Sequence, residues 1–427
     1  MIFRPALCAG LFLGASSAMA QRPTIDISGA RVQAYPIALA PPQGDAAGQE
    51  IFAVLQADLD RSGLFKVLDP RSFLAPADEG VGEKSIDYSR WTSVGAQGLV
   101  KAVVQAQGDR LAAEFHLYDA PRAREVLQKT YALPRSQLRQ LAHRFADDVV
   151  RLFTQDPGAF QTRIAYVRET ASGKQIVVAD SDGFGPQQLT TASINLLPAW
   201  TPDGRAIAFT TFRDGTGAHI YSVDPSNRAL RTLVSTGDFA TGAAFAPDGS
   251  RLLFTSSVEE NTDIYAAKPD GSGTRRLTES RGIDVSASYS PDGKQIAFVS
   301  DRAGSPQIYL MAADGSGVRR LTFQGNFNQE PAWSPKGDLI AFTGRDEKRS
   351  FDVYTVNAQT GKIARLTQNQ GTNEKPSWAP NGQLLLFSSS RTGKRQLWTM
   401  TPDGSNPRQV TDEPQGAFDP AWGPLAR

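Results

Sequence analysis

The chain has 427 residues, with 45 Lys and Arg against 44 Asp and Glu, and a single cysteine. A net charge of +1 provides no electropositive field of the kind that draws a protein onto nucleic acid or an anionic lipid surface. Cys8 has no partner thiol in the chain, so the fold must rest on its core, and this length is enough for two or three domains.

The first twenty residues have the three parts of an export signal. Arg4 supplies positive charge, residues 6–13 an apolar run, and Ala18, Met19 and Ala20 a small-residue cleavage site. Cleavage is expected after Ala20, which also removes Cys8. The apolar run is shorter than the roughly 20 residues a spanning helix needs, and no later stretch is longer or more apolar.

Residues 21–155 show mixed periodicity and are expected to form an α/β domain. Residues 32–39 read as a strand. Over residues 48–62, Ile51, Leu55 and Leu59 recur four apart on one helical face, with Gly63 placed as a C-terminal cap. Residues 65–68 and 99–106 read as strands, and Asp109 and Arg110 as a hairpin turn into a strand over 111–118. A last helix is expected from Ser136 as N-cap, carrying Leu138, Leu141, Phe145, Val149 and Leu152 on one face. Asp156, Pro157 and Gly158 break it and read as the linker to the second domain.

From residue 156 onward the sequence repeats. An aromatic residue, a small residue, Pro, a polar residue and Gly recur with the prolines at 202, 247, 291, 335 and 380, and a shortened copy at Trp422, Gly423 and Pro424. Each unit adds a Phe seven residues after its proline (Phe209, Phe254, Phe298, Phe342, Phe387). An apolar-aromatic pair such as Ile308 and Tyr309 follows, then a Leu-Thr pair such as Leu321 and Thr322. Four short strands every 44 or 45 residues, separated by Pro, Asp, Asn and Gly turns, are the signature of a propeller blade. The first such strand, at Ile164, Ala165 and Tyr166, lacks a preceding anchor, and the last anchor, Trp422, lacks following strands. One blade is therefore shared between the two ends of the repeat region. The expected architecture is a two-domain chain, an N-terminal mixed α/β domain followed by an all-β six-bladed β-propeller over 156–427. The periodic aromatics are expected between blades, as core.

Residues with catalytic potential are sparse. His116, His143 and His219 are isolated in sequence, and no Gly-x-Ser-x-Gly elbow, phosphate loop or His-Glu-x-x-His appears. Asp180, Ser181, Asp182 and Gly183 open like a calcium loop but lack its closing Glu, so they read as a turn. No catalytic residue, metal ligand or cofactor is expected. Some peptidases place a hydrolase domain after such a propeller; with none following and no elbow, a protein-binding scaffold is favoured over a propeller enzyme of lyase or lactonase type.

The run Phe160, Gln161, Thr162, Arg163, Ile164, Ala165, Tyr166, Val167, the Trp-Ser-Pro-Asp-Gly repeats, the ending Pro420, Ala421, Trp422, and the order of signal, small mixed domain and propeller together resemble the TolB family. The resemblance implies a monomeric periplasmic protein of the Tol-Pal system without enzymatic activity. Such a protein supports outer-membrane constriction at division and envelope integrity, and reaches membranes only through its partners. It further implies two of these, the lipoprotein Pal on one propeller face and TolA at the segment after the signal peptide. In this chain that segment is residues 21–33, including Arg22, Pro23, Thr24, Ile25, Asp26 and Ile27. The Pal face is expected on the loops that lead from each Leu-Thr pair into the next anchor strand, because all of them crowd one mouth of the channel. The residues expected there are Asp238, Phe239, Asp284, Asn326, Asn328, Gln329, Glu330, Asn373, Glu374, Lys375 and Asp419, with Glu330 and Glu374 as principal contacts. Turns at Asp292 and Lys336 are expected on the opposite face.

Overall fold

A computed structural model of the chain describes residues 34–235, 239–257, 261–345 and 349–425. The expected signal peptide, the segment 21–33 with Arg22 to Ile27, and Asp238 lie outside the described residues.

The N-terminal domain is built on one mixed sheet. Its strands are β1 (Tyr35–Leu39), β2 (Gln43–Gly44), β3 (Phe65–Val67), β4 (Gly98–Gln107), β5 (Arg110–Asp119) and β6 (Arg124–Pro134), in the order β3-β1-β4-β5-β6 with β2 beside β4. β1 runs parallel to β3 and β4, whereas β4, β5 and β6 form an antiparallel meander. Helices α1 (Ala47–Ser62) and α3 (Leu138–Thr154) bury Ile51, Leu55, Leu59, Leu141, Phe145 and Val149 against Val100, Phe115 and Leu117 of the sheet. Short helix α2 (Tyr88–Ser93) brings Trp91 to the other face beside Leu99 and Tyr118.

Gly63 ends α1 at φ +70°, as the sequence predicts. Two local expectations need correction, and two elements were not anticipated. The hairpin turn is Gly108 and Asp109, with Arg110 already in β5. Ser136 is not an N-cap: it lies in the 3-10 turn Arg135–Gln137, and α3 starts after Gln137 without a side-chain cap. β6 and α2 have too little apolar periodicity to be read from sequence. β6 alternates mostly between half-buried and exposed positions, and only Trp91 of α2 is buried.

The described residues from Arg163 onward form six four-stranded antiparallel sheets arranged as a propeller. The sixth blade has the strand order Ala417–Trp422, Arg163–Thr170, Gly173–Asp180, Gln187–Gln188, so the C-terminal strand becomes the innermost strand of the blade that the N-terminal strands begin. Closure of this kind removes sheet edges. The anchor aromatics lie between blades: Trp378 Nε1 donates to Ala332 O of the preceding blade at 2.9 Å, and Trp200 Nε1 to Ala421 O at 3.2 Å. The Leu-Thr pairs fall just beyond two- or three-residue outer strands in five of the blades. There each Thr hydroxyl accepts a backbone N–H of the third strand, as from Ile308 N to Thr322 Oγ1 at 2.9 Å.

The two domains meet at one end of the propeller. Arg61 of α1 donates to Ser181 O at 2.8 Å and Ser181 Oγ at 3.2 Å, and Asn406 Nδ2 donates to Asp60 O at 2.8 Å. Asn381 Nδ2 donates to Pro157 O at 2.9 Å, and Lys336 pairs with Asp156 at 3.2 Å. All four propeller residues lie in turns joining first to second or third to fourth strands. In antiparallel blades these turns share one end, so the loops leading into the inner strands lie at the other. Lys336 is thus on the face expected for it, but as part of the domain junction.

Candidate functional site

Each inner strand enters the channel through a bulge, where the register slips between its second and fifth residues, as from Leu196 to Ala199 and Gln329 to Ala332. The residue at the bulge adopts positive φ in all six blades: Leu197 (+53°), Gly242 (+69°), Ser286 (+55°), Glu330 (+58°), Lys375 (+57°) and Asp419 (+48°). These six residues and their successors line a cavity of about 150 Å³ inside the channel mouth. Pro follows in four blades (Pro198, Pro331, Pro376, Pro420). It is tolerated there because an innermost strand has no further strand to receive its N–H.

Three of the six are charged and committed to one another. Glu330 Oε2 accepts from Thr343 Oγ1 at 2.7 Å and from Lys375 N at 3.1 Å, while Oε1 faces Lys375 Nζ at 3.3 Å. Asp419 Oδ2 accepts from Leu197 N at 3.3 Å. Burial alone would push the Lys375 ammonium down, but the carboxylates of Glu330 and Asp419 outweigh it and hold it above its ordinary value. Burial pushes the Asp419 carboxyl up against the pull of Lys375. These carboxylates therefore tie the bulge of one blade to the next.

This geometry divides the residues expected on the partner face. Asp284, Asn328 and Asn373 are buried latches instead of contacts. Asn328 Nδ2 donates to Gln307 Oε1 of the preceding blade at 2.9 Å, Asn373 Nδ2 to Asp352 Oδ1 at 3.0 Å, and Asp284 pairs with Arg302 at 2.8 Å. Glu330, Lys375 and Asp419 face the channel rather than the rim. Glu374 is held by Arg395 at 3.0 Å, and burial raises its carboxyl above the ordinary range. Of the described candidates, Phe239 and Asn326 are exposed at the rim, and Gln329 is half-buried.

Phe239 is one of a set of exposed apolar residues on the rim, the others of which were not among the expected contacts. Ile194 (44% exposed), Phe212 (40%), Phe239 (37%), Ile283 (49%) and Phe323 (72%) all stand at the mouth away from the N-terminal domain. Ile194, Phe239 and Ile283 occupy one repeat position, the residue before the inner strand. Phe323 directly follows a Leu-Thr pair, and the Arg320 guanidinium stacks over its ring at 4.9 Å. Apolar side chains gathered at one mouth of a rigid scaffold mark a surface used for binding.

Both domains match known proteins. Residues 150–426 match the family model for the TolB beta propeller domain, and residues 23–126 that for the TolB amino-terminal domain. The Tol-Pal system protein TolB of Anaeromyxobacter dehalogenans (strain 2CP-C) is 49% identical over 273 residues, 62% of either chain. That of Myxococcus xanthus (strain DK1622) is 46% identical over 201 residues, 46% of this chain and 47% of the other. The chain thus spans less than two thirds of the length of these curated relatives in the matched stretch. The crystal structure of TolB from Acinetobacter baumannii superposes with a TM-score of 0.84 at 31% identity, covering 94% of this chain and 100% of that one.

Proposed function

The chain belongs to the TolB family, and from that premise we propose that it is a periplasmic protein-binding scaffold of the Tol-Pal system. In this reading it links Pal, at the outer membrane and peptidoglycan, to TolA of the inner membrane, and thereby supports outer-membrane constriction and envelope integrity. The observation that carries the reading is the exposed apolar rim around the channel mouth far from the N-terminal domain. A rigid propeller with such a rim fits a folded partner, and the charged groups inside the channel already satisfy one another. No helix among the described residues is long and apolar enough to cross a membrane, which accords with a protein that reaches membranes through partners.

TolA engagement falls to residues 21–33, the segment following the expected cleavage site, as the family resemblance implies. The test is a pair of binding titrations on purified protein with and without residues 21–33. Deletion abolishes TolA binding and leaves Pal affinity within about twofold. Undiminished TolA binding by the truncated protein rejects the assignment.

A further inference from the structure

We propose that His143, Asp180 and Asp182 form a divalent-cation site that joins helix α3 of the N-terminal domain to the sixth propeller blade. One ring nitrogen of His143 and one carboxylate oxygen from each aspartate lie within 4.8 Å of one another. Zinc holds nitrogen and oxygen ligands at about 2.0–2.2 Å, which sets its ligands roughly 3.5 Å apart, so small side-chain rotations close the set.

Three further observations single out a cation here. His143 is 3% exposed, and its Nδ1 lies 2.6 Å from Oδ2 of Asp58, itself 1% exposed. This carboxylate-imidazole pairing holds metal-ligating histidines in the tautomer that presents the other nitrogen as a lone pair. That other nitrogen, Nε2, is fully buried and has no hydrogen-bond partner, an arrangement that is costly unless something accepts it. The acidic groups are also unequally partnered. Arg61 pairs with Asp58 at 3.1 Å and Arg139 pairs with Asp182, whereas the Asp180 carboxylate makes no hydrogen bond or ion pair among the described residues. A bound cation would give the Asp180 carboxylate the partner it lacks.

The ligands also explain why Asp180, Ser181, Asp182 and Gly183 open like a cation loop without its closing Glu. The remaining ligand comes from the other domain. Asp182 is the weaker donor, since Oδ1 accepts from Phe184 N at 3.1 Å and Oδ2 faces Arg139, although each oxygen retains a second lone pair. A mixed nitrogen and oxygen set suits zinc or a neighbouring transition metal better than calcium or magnesium, which prefer oxygen alone.

The test is calorimetric titration of zinc chloride into the chelator-treated full chain, repeated on Asp180→Asn, His143→Gln and His116→Gln. The expected result is one saturable equivalent in the parent and in His116→Gln. Asp180→Asn should weaken it at least about tenfold, as should His143→Gln if that buried variant folds. Asp180→Asn alone suffices, because it preserves shape at a half-buried residue that ends a strand and whose carboxylate has no partner to lose. Absence of saturable zinc binding in the parent, or equal affinity in Asp180→Asn, overturns the proposal.

Discussion

Glu330 shows how a residue that reads as a surface contact can instead be part of the frame. Its carboxylate holds Thr343 Oγ1, Lys375 N and Lys375 Nζ, so it fixes the neighbouring bulge and compensates a cation drawn out of water. Glu330→Gln keeps the shape but removes the charge nearest Lys375, leaving Asp419 and Glu374 as counter-charges. A loss of about 1–3 kcal/mol in denaturant unfolding is expected, the range for stranding a buried polar or charged group. Phe323→Ser removes a ring that is 72% exposed and should change stability by no more than about 0.5 kcal/mol. If Glu330→Gln were neutral, the channel charges would be solvated rather than coupled. The difference between these residues was partly legible in the sequence. A polar residue at the same repeat position in several blades, as at Asn195, Asp284, Asn328 and Asn373, signals a structural latch, whereas apolar residues just before it, at Ile194, Phe239 and Ile283, signal exposure without a packing role. Recognising this requires knowing which side chain crosses to the preceding blade, and that depends on tertiary placement rather than on local propensity.

At the scale of elements, the Asp-Gly turns between third and fourth strands serve more than chain reversal. A Cβ built on Gly271, at φ +83°, would come within 1.6 Å of Leu233 O in the preceding blade, and one on Gly183 within 2.1 Å of Val410 O. Glycine is required there both for its conformation and for the close approach of two backbones. At Gly249 the φ is +72° but nothing lies within 4 Å. Gly249→Ala should therefore cost only the left-handed strain of about 1–2 kcal/mol, and Gly271→Ala clearly more, since the blade interface must also open. Thermal unfolding of the two variants measures the difference; equal losses would mean that the turn does not pack on its neighbour. The blade repeat itself was readable because period, turn residues and apolar beads agree in every unit. β6 was not, since its half-buried positions lack that agreement, and the 3-10 entry to α3 replaced the expected Ser136 cap.

At the scale of the molecule, the N-terminal domain occupies one end of the propeller through contacts with Arg61, Asn381 and Asn406, and its described residues leave the opposite mouth uncovered. That arrangement places the apolar rim and the domain junction at the two ends of one rigid body. The rim residues and the junction turns can therefore be altered independently, and the most direct measurement uses this. Pal is titrated calorimetrically into the parent protein, into the rim variant Ile283→Ser/Phe323→Ser, and into Asp248→Lys/Asp292→Lys, which alters first-to-second-strand turns at the junction end. The rim variant is expected to lose at least about tenfold in affinity, roughly 1.4 kcal/mol, with unfolding unchanged, and the turn variant to bind like the parent. Normal Pal binding by the rim variant, with loss in the turn variant, would contradict the assignment of Pal to the rim.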